Sequence, residues 1–180
     1  MKVTETRLPG VLIIEPAISG DERGFFIETF QAERYRTEAG IDLPFVQDNH
    51  SRSKRGVLRG LHAQRQHPQG KLVRVSRGEV IDVAVDIDPA SPTFGVWGGA
   101  VLSDANARQL WIPPGYAHGF VVLSDVADFE YKCTDVYHPE DEIGLIWNDP
   151  QVAIDWPVNE PIVSDKDRRL PSLREIGAGR

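Results

Sequence analysis

Glu79-Val80-Ile81-Asp82-Val83-Ala84-Val85-Asp86-Ile87-Asp88 alternates almost without fault. Ile81, Val83, Val85 and Ile87 fall on one side and Asp82, Asp86 and Asp88 on the other, which is the period-two signature of a β-strand. An apolar side opposite an acidic one predicts a half-buried antiparallel strand with its carboxylates toward solvent. Shorter runs of the same kind recur on either side, separated by Gly, Pro, Asn and Asp turns: residues 11–14, 24–30, 71–76, 96–102, 109–112, 119–123 and 128–136. Helical spacing is confined to residues 31–39, with room for a second short helix in the charged tail after Ser164. Many short strands and one or two short helices predict an all-β chain, a β-sandwich or a barrel-like jelly roll.

With 180 residues and no internal repeat or linker, one domain spanning 1–180 is expected, its last residues (about 172–180) forming a frayed tail. Twenty Lys plus Arg against twenty-seven Asp plus Glu give a net charge of -7. That argues against general binding of nucleic acid or an anionic membrane, so any phosphate site must be a concentrated one. The N-terminus lacks a charged-then-apolar signal pattern, no apolar run approaches membrane-spanning length, and Cys133 is the single cysteine. A cytoplasmic protein is expected.

The chemistry concentrates in Val57-Leu58-Arg59-Gly60-Leu61-His62-Ala63-Gln64 and the following Lys71-Leu72-Val73-Arg74-Val75-Ser76. Lys71 shares strand parity with Val73 and Val75, so its ammonium points to the apolar side while Arg74 points away. A lysine there needs an anion or a carbonyl oxygen; the plainer alternative is a strand-end lysine reaching back to solvent. His62 beside it has the equipment of a base working next to a developing oxyanion, although a lone strand histidine is commonly structural. In Asp128-Phe129-Glu130-Tyr131-Lys132-Cys133, Tyr131 falls with Phe129 and Cys133 and therefore looks inward, either as a core residue or as a proton donor. Trp111-Ile112-Pro113-Pro114-Gly115-Tyr116-Ala117-His118 reads as strand, rigid turn and strand, which sets where His118 emerges. One difficulty stands out: Arg59 and His62 have opposite parity. Both can line one pocket only if Gly60 or the strand edge breaks the alternation.

A histidine on one strand and a Pro-x-Gly-x-x-His turn before another resemble the cupin arrangement. The metal-binding version wants His-x-His and a nearby glutamate. Here Gln64 holds the second histidine's place, His67-Pro68-Gln69-Gly70 supplies no acid, and Lys71 would repel a divalent ion, so no metal is expected.

The chain more closely resembles the dTDP-4-dehydrorhamnose 3,5-epimerase family. The likeness runs in order through Gly20-Asp21-Glu22-Arg23-Gly24-Phe25-Phe26, Gln47-Asp48-Asn49-His50-Ser51, Leu58-Arg59-Gly60-Leu61-His62-Ala63-Gln64 and Lys71–Val75. It continues through residues 112–120 and 131–149 to Ser164-Asp165-Lys166-Asp167. What the resemblance implies is a cupin-like enzyme that inverts carbons 3 and 5 of dTDP-4-keto-6-deoxyglucose without cofactor; a homodimer is expected from residues 24–30, an early strand apolar on both faces whose edge can pair with a second copy. It implies His62 as general base, oriented by Asp167, with Tyr131 as the acid on the opposite face and Lys71 at the enolate oxygen. It also implies Arg23, Arg59, His118 and Lys166 as ligands of the nucleotide diphosphate and sugar, Glu28, Gln47, Asp48, Asn49 and Glu142 as further substrate contacts, and Tyr137 as the aromatic stacked on the base. From the residues alone, Ser164–Arg169 reads as a solvated charged tail rather than as a partner of His62.

The chemistry explains the residue types. A hydrogen next to a ketone is acidic only because charge moves to oxygen, so base and oxyanion partner must act together. Inversion needs a second proton source on the other face, and a phenol supplies one. A ketone at carbon 4 activates carbons 3 and 5 alike, so one site can serve both. The rivals are a mono-epimerase of the same fold, a metal-dependent cupin oxygenase, and a non-catalytic sugar-nucleotide binder.

Overall fold

Alternating runs separated by turns resolve into two facing antiparallel sheets. The computed structural model describes residues 1–179. Its strands are β1 (Lys2–Glu5), β2 (Leu12–Glu15), β3 (Ile18–Asp21), β4 (Gly24–Ile27), β5 (Gln47–Lys54), β6 (Leu58–Gln64), β7 (Lys71–Arg77), β8 (Glu79–Asp86), β9 (Trp97–Ser103), β10 (Gln109–Ile112), β11 (Tyr116–Val122), β12 (Val126–Cys133) and β13 (Glu142–Gly144). Two short helices accompany them, α1 (Ala32–Ala39) and α2 (Leu173–Gly177). One sheet has six strands in the order β1-β2-β10-β7-β12-β5, the other five in the order β13-β6-β11-β8-β9. This is the all-β jelly-roll sandwich that the sequence leads one to expect. No helix among the described residues is long and apolar enough to cross a membrane.

Between the sheets lies the main core, with Val73 and Val75 of β7, Val80 and Ala84 of β8, Phe120 and Val122 of β11 and Phe129 of β12. A second core lies on the far side of the five-stranded sheet. There Leu61, Ala63, Val83, Val85 and Ala117 pack against Leu145, Val152 and Leu173 from the C-terminal third. This covering layer overturns one expectation. β8 is buried on both sides: Ile81, Val83 and Val85 face the C-terminal layer, while Asp82 and Asp86 turn away from it, to the side of Val80 and Ala84, and are buried too. Asp86 accepts hydrogen bonds from Ser91 and Thr93, both at 2.5 Å. Periodicity distinguishes two faces of a strand; it does not say that a later segment will cover one of them.

The helix over 31–39 forms from Ala32, with Gln31 capping its N-terminus through Arg34 N–H and Gly40 ending it at φ 68°. Toward the C-terminus, Ser172 and Glu175 form a capping box at α2 and Leu173 is buried, so the tail is ordered from its first residues. Arg180, at its end, lies outside the described residues.

The run at 24–30 is shorter as a strand than its sequence suggests. β4 pairs only with β3, as a separate two-stranded hairpin that joins neither large sheet. Its tip is exposed, with Phe25 at 72% and Phe26 at 73% of their full accessibility.

Candidate active site

The crossing of β6 with β11 creates the site. Gly60 has φ +116°, and a Cβ placed there would lie 2.7 Å from both Gly119 Cα and His118 O. A Cβ on Gly119 would lie 2.6 Å from Arg59 O. Only paired glycines allow this approach. At the same place the β6–β11 register shifts, from His118 opposite His62 to Phe120 opposite Arg59. The shift answers the parity difficulty: Leu58 and Leu61 both face the outer layers, and Arg59 and His62 both face the space between the sheets.

That space opens as a cleft of about 660 Å³, a size suited to a small organic ligand. His62 reaches it from β6, His118 from β11, Lys71 from β7 and Tyr131 from β12. Asp167 comes from the C-terminal third. Leu58 N–H donates to Ile162 O at 3.0 Å and Ile162 N–H to Gly56 O at 2.8 Å, which pins that segment along β6. The turn Asp167–Arg169 follows, and Asp167 meets His62 across 105 positions of sequence.

His62 Nε2 lies 2.7 Å from Asp167 Oδ1, and Asp167 Oδ2 accepts Gly60 N–H at 3.2 Å. Burial alone raises the Asp167 carboxyl, but the hydrogen bonds and charge from His62 and the Gly60 amide outweigh it and hold the group below its ordinary value. A carboxylate at that distance favours the tautomer with the His62 proton on Nε2, which leaves Nδ1 unprotonated. Lys71 is 8% exposed, as its parity with Val73 requires; burial lowers the pKa of its ammonium. Tyr131 looks into the cleft as expected, and burial raises its phenol, so it remains protonated at neutral pH. Arg59 is braced by Ser53 Oγ at 3.0 Å.

The mouth is a second connected group. Tyr137 donates its hydroxyl to Glu142 at 2.7 Å, Lys166 pairs with the other oxygen of Glu142 at 2.6 Å, and Gln47 accepts Tyr137 N–H at 3.0 Å. Gln47 in turn donates to Asn49 at 3.1 Å. Hydrogen bonding to Glu142 raises Tyr137 and Lys166.

Three expected positions are not brought into the cleft by their own chain. Asp48 alternates with Gln47 and Asn49, so it emerges on the opposite side of β5, where it pairs with Lys132 at 3.0 Å. Its side chain drops out of the site. Arg23 sits on the exposed β3–β4 hairpin against Asp21 at 2.5 Å, and Glu28 follows β4 and pairs with Arg34 at 3.0 Å. Conversely, Ser51, Phe120 and Phe129 line the cleft without having been singled out. Ser51 was legible, because it shares parity with Gln47 and Asn49; the phenylalanines read simply as core. Gln64, at the place of a cupin metal ligand, is committed elsewhere: its amide donates to His67 O at 2.6 Å and accepts His138 N–H at 2.8 Å. Among the described residues no group of three His, Cys, Asp or Glu is arranged to hold a metal.

These groups can take a proton from carbon, hold charge on an oxygen and return a proton from elsewhere, and in a jelly roll that combination belongs to the cupin-like epimerases. Comparison supplies the particular family. The family model described as dTDP-4-dehydrorhamnose 3,5-epimerase matches residues 5–175. The enzyme of that description from Pseudomonas aeruginosa is 55% identical over 170 residues, covering 94% of each chain. The one from Escherichia coli is 53% identical over 178 residues, 98% of this chain and 96% of its own. A crystal structure of dTDP-6-deoxy-D-glucose-3,5-epimerase from Legionella pneumophila, in complex with dTDP-4-keto-L-rhamnose, superposes with a TM-score of 0.95 at 57% identity, covering 99% of this chain and 95% of that one. The chain belongs to the dTDP-4-dehydrorhamnose 3,5-epimerase family and is an isomerase.

Proposed function

We propose that the cleft binds dTDP-4-keto-6-deoxyglucose and inverts carbons 3 and 5 in turn with the chain's own side chains. His62 Nδ1 takes the proton from the carbon next to the ketone, and the electron pair moves through the new C=C bond onto the carbonyl oxygen. The Lys71 ammonium stabilises that enolate. Tyr131 then gives its phenolic proton to the carbon from the opposite face, restoring the ketone; solvent returns a proton to Tyr131 and removes one from His62. Asp167 steadies the imidazolium during the step. Arg59, His118 and Lys166 bind the diphosphate and sugar, Gln47, Asn49 and Glu142 make further contacts, and Tyr137 stacks on the thymine. The observation that carries this reading is the His62–Asp167 hydrogen bond at 2.7 Å in a cleft shared with Lys71 and Tyr131.

We further infer one cupin-like domain that works as a homodimer. The exposed Phe25 and Phe26 and the unpaired edges of the β3–β4 hairpin are suited to a second copy, which would receive Arg23 and Glu28 at its cleft. A cytoplasmic setting suits Cys133, a buried free thiol.

His62→Ala tests the central role. The variant should keep its fold and its affinity for dTDP yet lose deuterium uptake at carbons 3 and 5 in deuterium oxide. Near-parental uptake at those carbons would remove His62 as the base.

A further inference from the structure

Gln64 stands where a metal-binding cupin would carry its second histidine, and the proposed chemistry gives it no task. It ends β6 and is 5% exposed. Its amide makes three hydrogen bonds: Nε2 donates to His67 O at 2.6 Å and to Val136 O at 3.2 Å, and Oε1 accepts His138 N–H at 2.8 Å. Two carbonyls and one N–H fix which way the amide faces. A carboxamide supplies both donors and the acceptor on one flat group, which a carboxylate or a hydroxyl does not.

Two of these partners bracket Tyr137. Val136 O belongs to the peptide before it and His138 N–H to the peptide after it, so Gln64 holds the backbone on both sides of that ring. Gln47 takes Tyr137 N–H at 3.0 Å and Glu142 takes its hydroxyl at 2.7 Å. Glu142 lies opposite Gln64 in the β13–β6 pairing, whereas Gln47 begins β5 in the facing sheet. A ring that is 47% exposed is thus fixed from both sheets at once. We propose that Gln64 is a positioning residue for nucleotide recognition. It clamps residues 136–138 so that the Tyr137 ring stands in its stacking position before the nucleotide arrives. This rests on the reading of Tyr137 as the aromatic that stacks on the base.

An exposed aromatic on an unclamped segment must be ordered when the base binds, and that ordering is subtracted from affinity; a ring already in place avoids the loss. The rest of the segment is fastened without Gln64. At its start Thr134 N–H donates to Gly70 O at 3.0 Å, Gly70 N–H to Thr134 Oγ1 at 2.8 Å, and the Gln69 amide to Asp135 O at 2.8 Å. At its end Asp141 accepts Gln66 N–H at 2.9 Å and His67 N–H at 2.8 Å. Loss of the Gln64 amide should therefore loosen the stretch around Tyr137 and leave both ends of the segment in place.

Gln64→Met keeps the length of the side chain and removes all three hydrogen bonds. The direct readout is the Tyr137 ring, followed by NMR on protein labelled at tyrosine and assigned with Tyr137→Phe. In the ligand-free parent its signals should stand apart from those of a freely turning tyrosine, and in Gln64→Met they should move toward them. The Kd for dTDP and the KM for substrate should rise about threefold to tenfold, with kcat within about twofold of the parent. In a Tyr137→Ala background, Gln64→Met should weaken dTDP binding by less than about twofold. A residue that only supports the fold would lower the melting temperature and leave the Tyr137 signals where they are, which would overturn the proposal. So would a loss of dTDP affinity that persists in full without Tyr137. Should Gln64→Met fail to fold, the parent still decides: Tyr137 signals already those of a free tyrosine refute it. Tyr137→Ala tests the underlying reading separately. Parental dTDP affinity in that variant removes the stacking role, whereas the Tyr137 signals in Gln64→Met report on Gln64 without any ligand.

Discussion

Replacing Asp167 with asparagine should inactivate the site with almost no change of shape, and the hydrogen bonds around it say why. Asp167 accepts twice, from His62 Nε2 at 2.7 Å and from Gly60 N–H at 3.2 Å. An amide has one oxygen and one NH₂ for those two places. Gly60 N–H can only donate, so it takes the oxygen and turns the NH₂ toward His62. His62 Nε2 must then accept, which moves the ring proton to Nδ1, the nitrogen that should receive the substrate proton. The opposite orientation restores the tautomer but leaves a buried N–H facing an NH₂, at a cost of about 1–3 kcal/mol. Loss of the carboxylate also weakens the hydrogen bond that steadies the imidazolium, by about 1–2 kcal/mol. Together these give about 2–5 kcal/mol, or roughly a 30- to 5,000-fold loss in kcat. Deuterium uptake at carbons 3 and 5, followed by NMR beside far-UV circular dichroism and dTDP affinity, reads the effect. A folded variant that binds dTDP normally and exchanges within about threefold of the parent would refute this division of labour.

Tyr131→Phe should retain deuterium uptake while its inverted product falls about 100-fold, because abstraction survives and the opposite-face donor does not; inversion at the parental rate would make another group the acid. Gly119→Ala would put a Cβ 2.6 Å from Arg59 O, so thermal unfolding should register a destabilisation of roughly 1–3 kcal/mol, and a parental melting temperature would mean the β6–β11 crossing is looser than described. Mixing inactive His62→Ala subunits with inactive Arg23→Ala subunits should restore activity toward about a quarter of the parent, since a heterodimer with shared sites has one intact cleft. No recovery in proven heterodimers would rule out the sharing of Arg23.

Local rules carried the reading of the sequence as far as strand faces. Parity alone turned Lys71 and Tyr131 inward, where they lie. The parity conflict between Arg59 and His62 called for a break at Gly60 or at the strand edge, and the register shift falls at Gly60. Longer-range contacts were beyond such rules. Asp82 read as a solvent-facing residue because alternation cannot report that the C-terminal third covers the apolar side of β8. The partnership of Asp167 with His62 depends on the pairing of Ile162 with β6, and no residue in Ser164–Arg169 advertises it. Asp48 was misplaced by motif rather than by physics: strict alternation along β5 already sends its side chain away from Gln47 and Asn49.

The most direct test of double epimerisation by the chain's own side chains is one proton NMR time course in deuterium oxide, run on exhaustively chelated protein with dTDP-4-keto-6-deoxyglucose. Deuterium should appear at both carbon 3 and carbon 5, and the coupling constants should report the L-configured dTDP-4-keto-rhamnose at an undiminished rate. Exchange at one carbon only, or turnover that stops on chelation and returns with added metal, would contradict it.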